Sequence, residues 1–284
     1  THDTKRGEDV RARIGVLTEH AEEWADLLAA LRDATADIRP LDLDGRTENL
    51  LWQTLVGTWT EAGPITADRL EGYLLKAARE QKSWTTWTAP DEAREAAMVD
   101  YATALLTHED VVARMDAWVT AHAPAVRTSV LSTKAMQLTI LGVADVYQGS
   151  EITRTSLVDP DNRRPVDFAA LDAELTRLDE RGRPGVSLDE EKLWLTCQAL
   201  RLRRRRPDTF VSERSGYEPL ATTTGHCVAF ARTLDGTPEV ITVAERRHAG
   251  LVALGGWQDH VVLLPEGQWT DVLTGTVVAG GSAN

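Results

Sequence analysis

The chain has 284 residues, enough for one large domain or two ordinary ones with a sizeable core. Its 31 Lys and Arg against 44 Asp and Glu give a formal charge of −13, which repels phosphate backbones and anionic lipid and so disfavours nucleic acid and membrane surfaces as partners. No apolar run approaches the ~20 residues of a membrane span, no secretory leader is visible, and Cys197 and Cys227 form neither a disulfide framework nor a metal spacing, so a cytoplasmic protein is expected.

The opening stretch THDTKRGEDV lacks an initiator Met and carries a His-Asp pair, His2 and Asp3. Helical text follows. Val10, Ile14, Leu17, Ala21, Trp24, Leu28 and Leu31 recur every three or four residues and predict one apolar stripe. Leu51, Leu55 and Trp59 make a second stripe, and Leu70, Tyr73, Leu74, Ala77 and Ala78 a third, with Thr66 as its N-cap. Thr88 to Asp91 read as a helix start with Thr88 at the cap, and further helices are predicted across 91–107, 109–122 and 127–138.

In LTILGVADVYQGSE a β-branched run passes into Gly and polar residues, as a buried strand does when it ends in a loop. A polar loop rich in Asp, Arg and Pro comes next, then two helices, the second opening with a capping box at Ser187 and Glu190. Arg201, Arg203, Arg204, Arg205 and Arg206 read as a cationic helix C-terminus stopped by Pro207 rather than as a polyanion site. From about residue 216 the text becomes short and β-like, in HCVAFAR, EVITVA, HVVLLP and WTDVLTG, which predicts a β-sandwich. The boundary falls near 207–215, and no internal repeat is present.

One strand running into a polar loop, inside mostly helical text, suggests a parallel β/α protein whose site gathers at strand ends. THDTKR and DVYQGSE would both be strand-end loops. GVADVYQGSE resembles the exit of strand eight in the α-amylase superfamily, where the pattern is Gly-x-Pro-x-x-Tyr-x-Gly-x-Glu. With THDTKRGEDVRARI, LWQTLVGTW, DRLEGYLLKAAREQK, TTWTAPDEA and SLVDPDNRRPVDF added, the chain resembles the maltooligosyltrehalose synthases of that superfamily. It departs from them at Leu141 and Ala144, where the family usually has Pro.

The resemblance implies an α/β fold with an all-β tail. Residues 1–210 would be the C-terminal part of a (β/α)8 TIM barrel carrying a helical insertion at about 10–138, and residues 211–284 an antiparallel β-sandwich. It implies an intramolecular transglycosylation that turns the reducing-end α-1,4 bond of a maltooligosaccharide into an α,α-1,1 bond, as in trehalose biosynthesis. Asp3 would be the third catalytic carboxylate of the superfamily and His2 the imidazole beside it. A retaining mechanism also needs a nucleophile and an acid/base about 5–5.5 Å apart. The family carries these on strands four and five, upstream of the His-Asp pair, so the implied partner is the upstream part of the same enzyme, nicked or as a separate chain.

His2, Lys5, Trp87, Tyr147, Glu151, Asp161, Asn162, Arg163 and Arg164 are the candidate substrate-binding residues. For the run from Asp161 to Arg164 a salt-bridged structural loop is the competing reading, and Tyr147 and Glu151 would in that case brace it. No cofactor is needed. His20, His108, His122, His226, His248 and His260 show no ligand spacing, so no metal is expected. The alternative functions are an α-glucan hydrolase or 4-α-glucanotransferase of the same superfamily, or a non-catalytic glucan-binding piece.

Overall fold

The computed structural model describes residues 4–281, so His2 and Asp3 lie outside the described residues. The stripe read from Val10 to Leu31 is two helices rather than one, α1 (Glu8–Val16) and α2 (Ala21–Ala34). The amides of Leu17, Thr18, Glu19 and His20 each bond the carbonyl three residues back, and that tighter winding ends α1. α3 (Gly45–Thr58) starts at Asp44, whose carboxylate accepts from the amides of Arg46 and Thr47. α4 (Ala67–Gln81) starts after Thr66, although the Thr66 side chain makes no capping bond. α5 (Glu92–Leu105) is capped by Asp91 and not by Thr88, because the Asp91 side chain reaches the Arg94 amide at 3.2 Å.

The expected break between 122 and 127 does not occur. α6 runs unbroken over Glu109–Thr139 with Pro124 inside it. Pro124 removes one backbone donor, but Val119, Ala125, Val126 and Val130 stay buried at helical spacing and the apolar stripe carries the helix through. Contacts divide the chain into two compact units, one running to Ala123 with Arg154–Arg164, the other made of Pro124–Thr153 and the chain from Pro165 onward. In the first unit Leu51, Trp52, Leu55 and Trp59 pack with Leu70, Leu74, Met98, Tyr101 and Met115 in one apolar cluster. Burial of each such side chain is worth about 1.5–3 kcal/mol.

The second unit holds α7 (Phe168–Arg181), α8 (Leu188–Arg205) with the expected capping box, and the short α9 (Pro207–Val211). Its strands are β1 (Ser215–Pro219), β2 (Cys227–Leu234) and β3 (Thr237–Glu245), an antiparallel sheet in that order, and the ribbon β4 (Gly267–Thr270) with β5 (Val277–Gly280). β2 turns into β3 through Asp235 and Gly236, both at positive φ, the backbone that a two-residue hairpin requires. Arg232, fully buried in β2, donates to the carbonyls of Gly216, Thr139, Ile140 and Phe210, while Arg203 donates to Leu138. Two cations thus close the C-terminal end of α6, where the helix dipole favours positive charge.

Three expectations change here. The run expected as a strand, LTILGVADV, forms none: it leaves α6 at Thr139 and continues as irregular chain, with Leu141, Val143 and Val146 exposed. A strand needs a neighbouring strand for its amides and carbonyls, and among the described residues none pairs with this segment. HVVLLP contributes only an isolated bridge between Thr222 and Val262, and a helix, α10 (His248–Ala253), interrupts the tail. The architecture is mixed helix and sheet with two small antiparallel sheets, and no closed barrel forms among the described residues.

Candidate functional site

Two of the stretches singled out in the sequence meet in the first unit. Arg6 and Leu157 form an antiparallel bridge; the Gly7 amide donates to the Ser156 carbonyl at 2.8 Å and the Val158 amide to the Lys5 carbonyl at 3.0 Å. The approach is so close that a Cβ on Gly7 would sit 2.7 Å from the Ser156 oxygen, which is why glycine stands there. Asp9, buried in the first turn of α1, extends the seam by accepting from the Arg154 amide at 2.7 Å. The segment that directly follows His2 and Asp3 is therefore fastened along Arg154–Val158.

Inside the loop beyond Val158, Asp161 acts as a hub. Arg69 of α4 grips it with two bonds, of 2.6 and 3.0 Å, and a third Arg69 bond goes to the Thr155 carbonyl. The Leu157 amide adds a further donor at 2.7 Å. Burial alone would raise the Asp161 carboxyl, but the Arg69 hydrogen bonds, the Leu157 amide and the charge of Arg164 outweigh it and hold the group below the usual carboxylate range. Arg164 points inward to the Asp161 carbonyl and the Ser156 hydroxyl, and its guanidinium is pushed down by burial and then by Arg69. Asn162 is buried, while the Arg163 side chain is 68% exposed beside Asp159. Asp161 thus ties the loop to α4 and Arg164 spends its bonds on the loop itself, while Arg163 projects from it.

α4 organises the rest. Arg69, Lys76 and Glu80 follow one another at helical spacing: Lys76 donates to the Asp159 carbonyl at 2.7 Å, and Glu80 pairs with Lys5. Next to Glu80, Arg79 is clamped by the buried Glu95 and lies 5.0 Å over the ring of Trp87. Trp87 is 56% exposed, so one indole face stays open. Trp84 is half-buried against the core with Arg94 at 4.5 Å over its ring, a packing role. Arg6 bonds Gln53, Leu50 and Thr54 on α3 and serves as an anchor.

Tyr147 and Glu151 belong to the second unit. Buried Lys134 of α6 donates to the Ser150 hydroxyl, which in turn donates to the Tyr147 carbonyl at 2.7 Å, and Gln137 donates to the Asp145 carbonyl. Glu151 Oε2 is buried without a hydrogen-bond partner among the described residues. A cavity of about 400 Å³ in this unit is lined mainly by apolar side chains, Leu195, Leu202, Ile241, Val243 and Trp269 among them, with Glu239 and Asp271 also in its wall.

The sequence reading missed Arg69, Asp9 and Lys76 in this site. The sequence carries no signal for them, since polar residues at seven- and four-residue spacing beside an apolar stripe are what any surface helix shows. It also missed that His20, Glu23 and His122 lie together, their ligand atoms all within 4.8 Å of one another.

No family model matches the chain. Among curated proteins it is 37% identical, over an alignment of 298 positions, to a Mycobacterium tuberculosis (strain H37Rv) protein described as "Putative maltooligosyl trehalose synthase", covering 99% of this chain and 34% of that one. The solved maltooligosyltrehalose synthase from Arthrobacter ramosus superposes with a TM-score of 0.84 at 39% identity, over 99% of this chain and 35% of its own. A Sulfolobus tokodaii structure described as a hypothetical maltooligosyl trehalose synthase gives 0.77 at 29% identity, over 99% and 36%. The chain spans about a third of the length of the curated relatives it matches. Along its whole length, therefore, it corresponds in sequence and fold to about one third of a maltooligosyltrehalose synthase.

Proposed function

We propose that this chain is the C-terminal portion of a maltooligosyltrehalose synthase and serves the isomerisation of a maltooligosaccharide. The observation that carries this reading is likeness along 99% of the chain, in sequence and in fold alike, to proteins bearing that name. In the proposed division, residues 1–210 complete a (β/α)8 barrel with its helical insertion, and residues 211–284 form its β-rich C-terminal domain. The upstream part of the enzyme, acting in the cytoplasm, contributes the nucleophile and the acid/base.

Asp3 in this reading is the third carboxylate. It hydrogen-bonds sugar hydroxyls and favours the oxocarbenium-like transition state, with His2 donating to a neighbouring hydroxyl. The seam from Lys5 to Gly7 fastens the backbone just after Asp3, which suits a carboxylate that must be placed precisely. Lys5, Trp87 and Arg163 reach substrate, Trp87 by stacking its open indole face on a sugar ring. Asp161, Asn162 and Arg164 shape the loop that presents Arg163. Tyr147 and Glu151 contact sugar at the strand-eight exit, and the unmet buried oxygen of Glu151 suits an acceptor for a hydroxyl. The loop closes the site against water, so the released glucose and not water attacks the intermediate.

In the complete enzyme Asp3→Asn is expected to cut kcat by well over ~10-fold, about 1.4 kcal/mol, with KM within a few-fold, because the charge matters most in the transition state. With maltopentaose, reducing power should fall without matching release of glucose. Reducing sugar growing in step with turnover would instead identify a hydrolase, and redistribution of chain lengths a 4-α-glucanotransferase.

A further inference from the structure

His20 stands at the N-cap of α2 and Glu23 in its first turn, while His122 lies on α6 near the end of the first unit. The His122 Nδ1 is 2.9 Å from the Trp118 carbonyl, which can only accept, so Nδ1 carries a proton and Nε2 is the atom turned toward Glu23. Nε2 faces Glu23 Oε2 at 3.4 Å, a contact that either a proton or a metal ion between the two atoms satisfies. The second Glu23 oxygen is 2.9 Å from His20 Nδ1. The His122 ring has little freedom to turn away. It is buried, stacked on Trp118 at 3.8 Å between centroids, and met edge-on by His20 at 4.3 Å.

We propose that His20, Glu23 and His122 form a binding site for a divalent transition-metal ion, with Zn²⁺ as its best-fitting occupant. Tetrahedral zinc with N and O ligands at about 2.0–2.1 Å separates its donors by about 3.3 Å. One donor from each residue lies within 4.8 Å of the others, with His20 Nδ1 2.9 Å from one Glu23 oxygen and His122 Nε2 3.4 Å from the other, so small side-chain adjustments bring the three donors to that spacing. Two imidazoles with one carboxylate select zinc and its neighbours over Mg²⁺ and Ca²⁺, which take all-oxygen sets. The Trp118 carbonyl supplies the outer hydrogen bond that orients a metal-bound imidazole. Glu23 is 64% exposed in its side chain, so ions enter from solvent and water completes the coordination. The ion would clip the start of α2 to α6.

The test is a calorimetric titration of ZnCl2 into the metal-stripped, untagged protein that contains this chain, with visible spectra of the Co²⁺ form. One ion per chain is expected, with Co²⁺ bands of low coordination number. Glu23→Gln changes an exposed side chain and should leave the fold, followed by circular dichroism, intact. It should weaken Zn²⁺ by at least ~10-fold and remove those bands, and adding His20→Asn should abolish binding. Wild-type protein that binds Zn²⁺ no more tightly than the folded Glu23→Gln, His20→Asn double variant would overturn the proposal and leave the trio as a hydrogen-bonded staple.

Discussion

The stretch at Lys5–Gly7 reads as a loop at a strand end yet finds an extended partner, whereas the run after Thr139 reads as a strand ending in such a loop and finds none among the described residues. Lys5–Gly7 meets Ser156–Val158 and satisfies its backbone there. The run from Ile140 to Val146 pairs with no strand among the described residues and leaves Val143 98% exposed. Composition does not explain this, since the β-branched run has the stronger strand propensity and the seam is polar. Pairing decides. Extended chain becomes a strand when a second segment meets its donors and acceptors, and among the described residues only the first segment is paired in this way.

Four substitutions would break or sharpen that contrast. The largest effect is expected from Val143→Asp in the complete enzyme. If the segment becomes a buried barrel strand there, an uncompensated charge costs about 3–5 kcal/mol, read as a lower midpoint in urea. An unchanged midpoint would mean that Val143 stays in solvent.

Asp161→Ala should cost about 3 kcal/mol, since it strips the partner from Arg69 and from the Leu157 amide in a mostly buried clamp. Asp161 also sets a pH dependence. Its folded pKa lies below the unfolded one, so its contribution is complete above about pH 4 and is lost as pH falls through the folded value. Acid unfolding curves of wild type and Asp161→Asn should therefore converge at low pH and separate above it; parallel curves would dismiss the clamp.

Gly7→Ala is expected to cost about 1–3 kcal/mol, because the new methyl collides with a backbone carbonyl that has no rotamer to escape into. It should also lower kcat in the complete enzyme, as the seam moves and Asp3 with it. A stability loss with kcat untouched would separate the seam from catalysis.

Lys5→Ala has the smallest expected effect on stability, about 0–1 kcal/mol, since its pair with Glu80 is partly exposed on both sides. If Lys5 also reaches a sugar hydroxyl, KM for maltooligosaccharide rises while the melting temperature holds. Equal KM values would confine Lys5 to the ion pair.

By itself the sequence determined where most helices lie and how one of them starts. Apolar spacing marks α3 and α4, and Ser187 with Glu190 marks the capping box that starts α8, because helix bonds and caps join residues three or four apart. The polar loop around Asp161 and the β texture of the tail were legible for the same local reason. Tertiary structure alone decided the continuity of α6 through Pro124, the absence of a strand after Thr139, the grip of Arg69 on Asp161 and the meeting of His20, Glu23 and His122. Each of these depends on partners distant in the chain or on burial by neighbouring elements. A strand, an ion-pair hub and a metal site are relations between such segments, and no local periodicity records them.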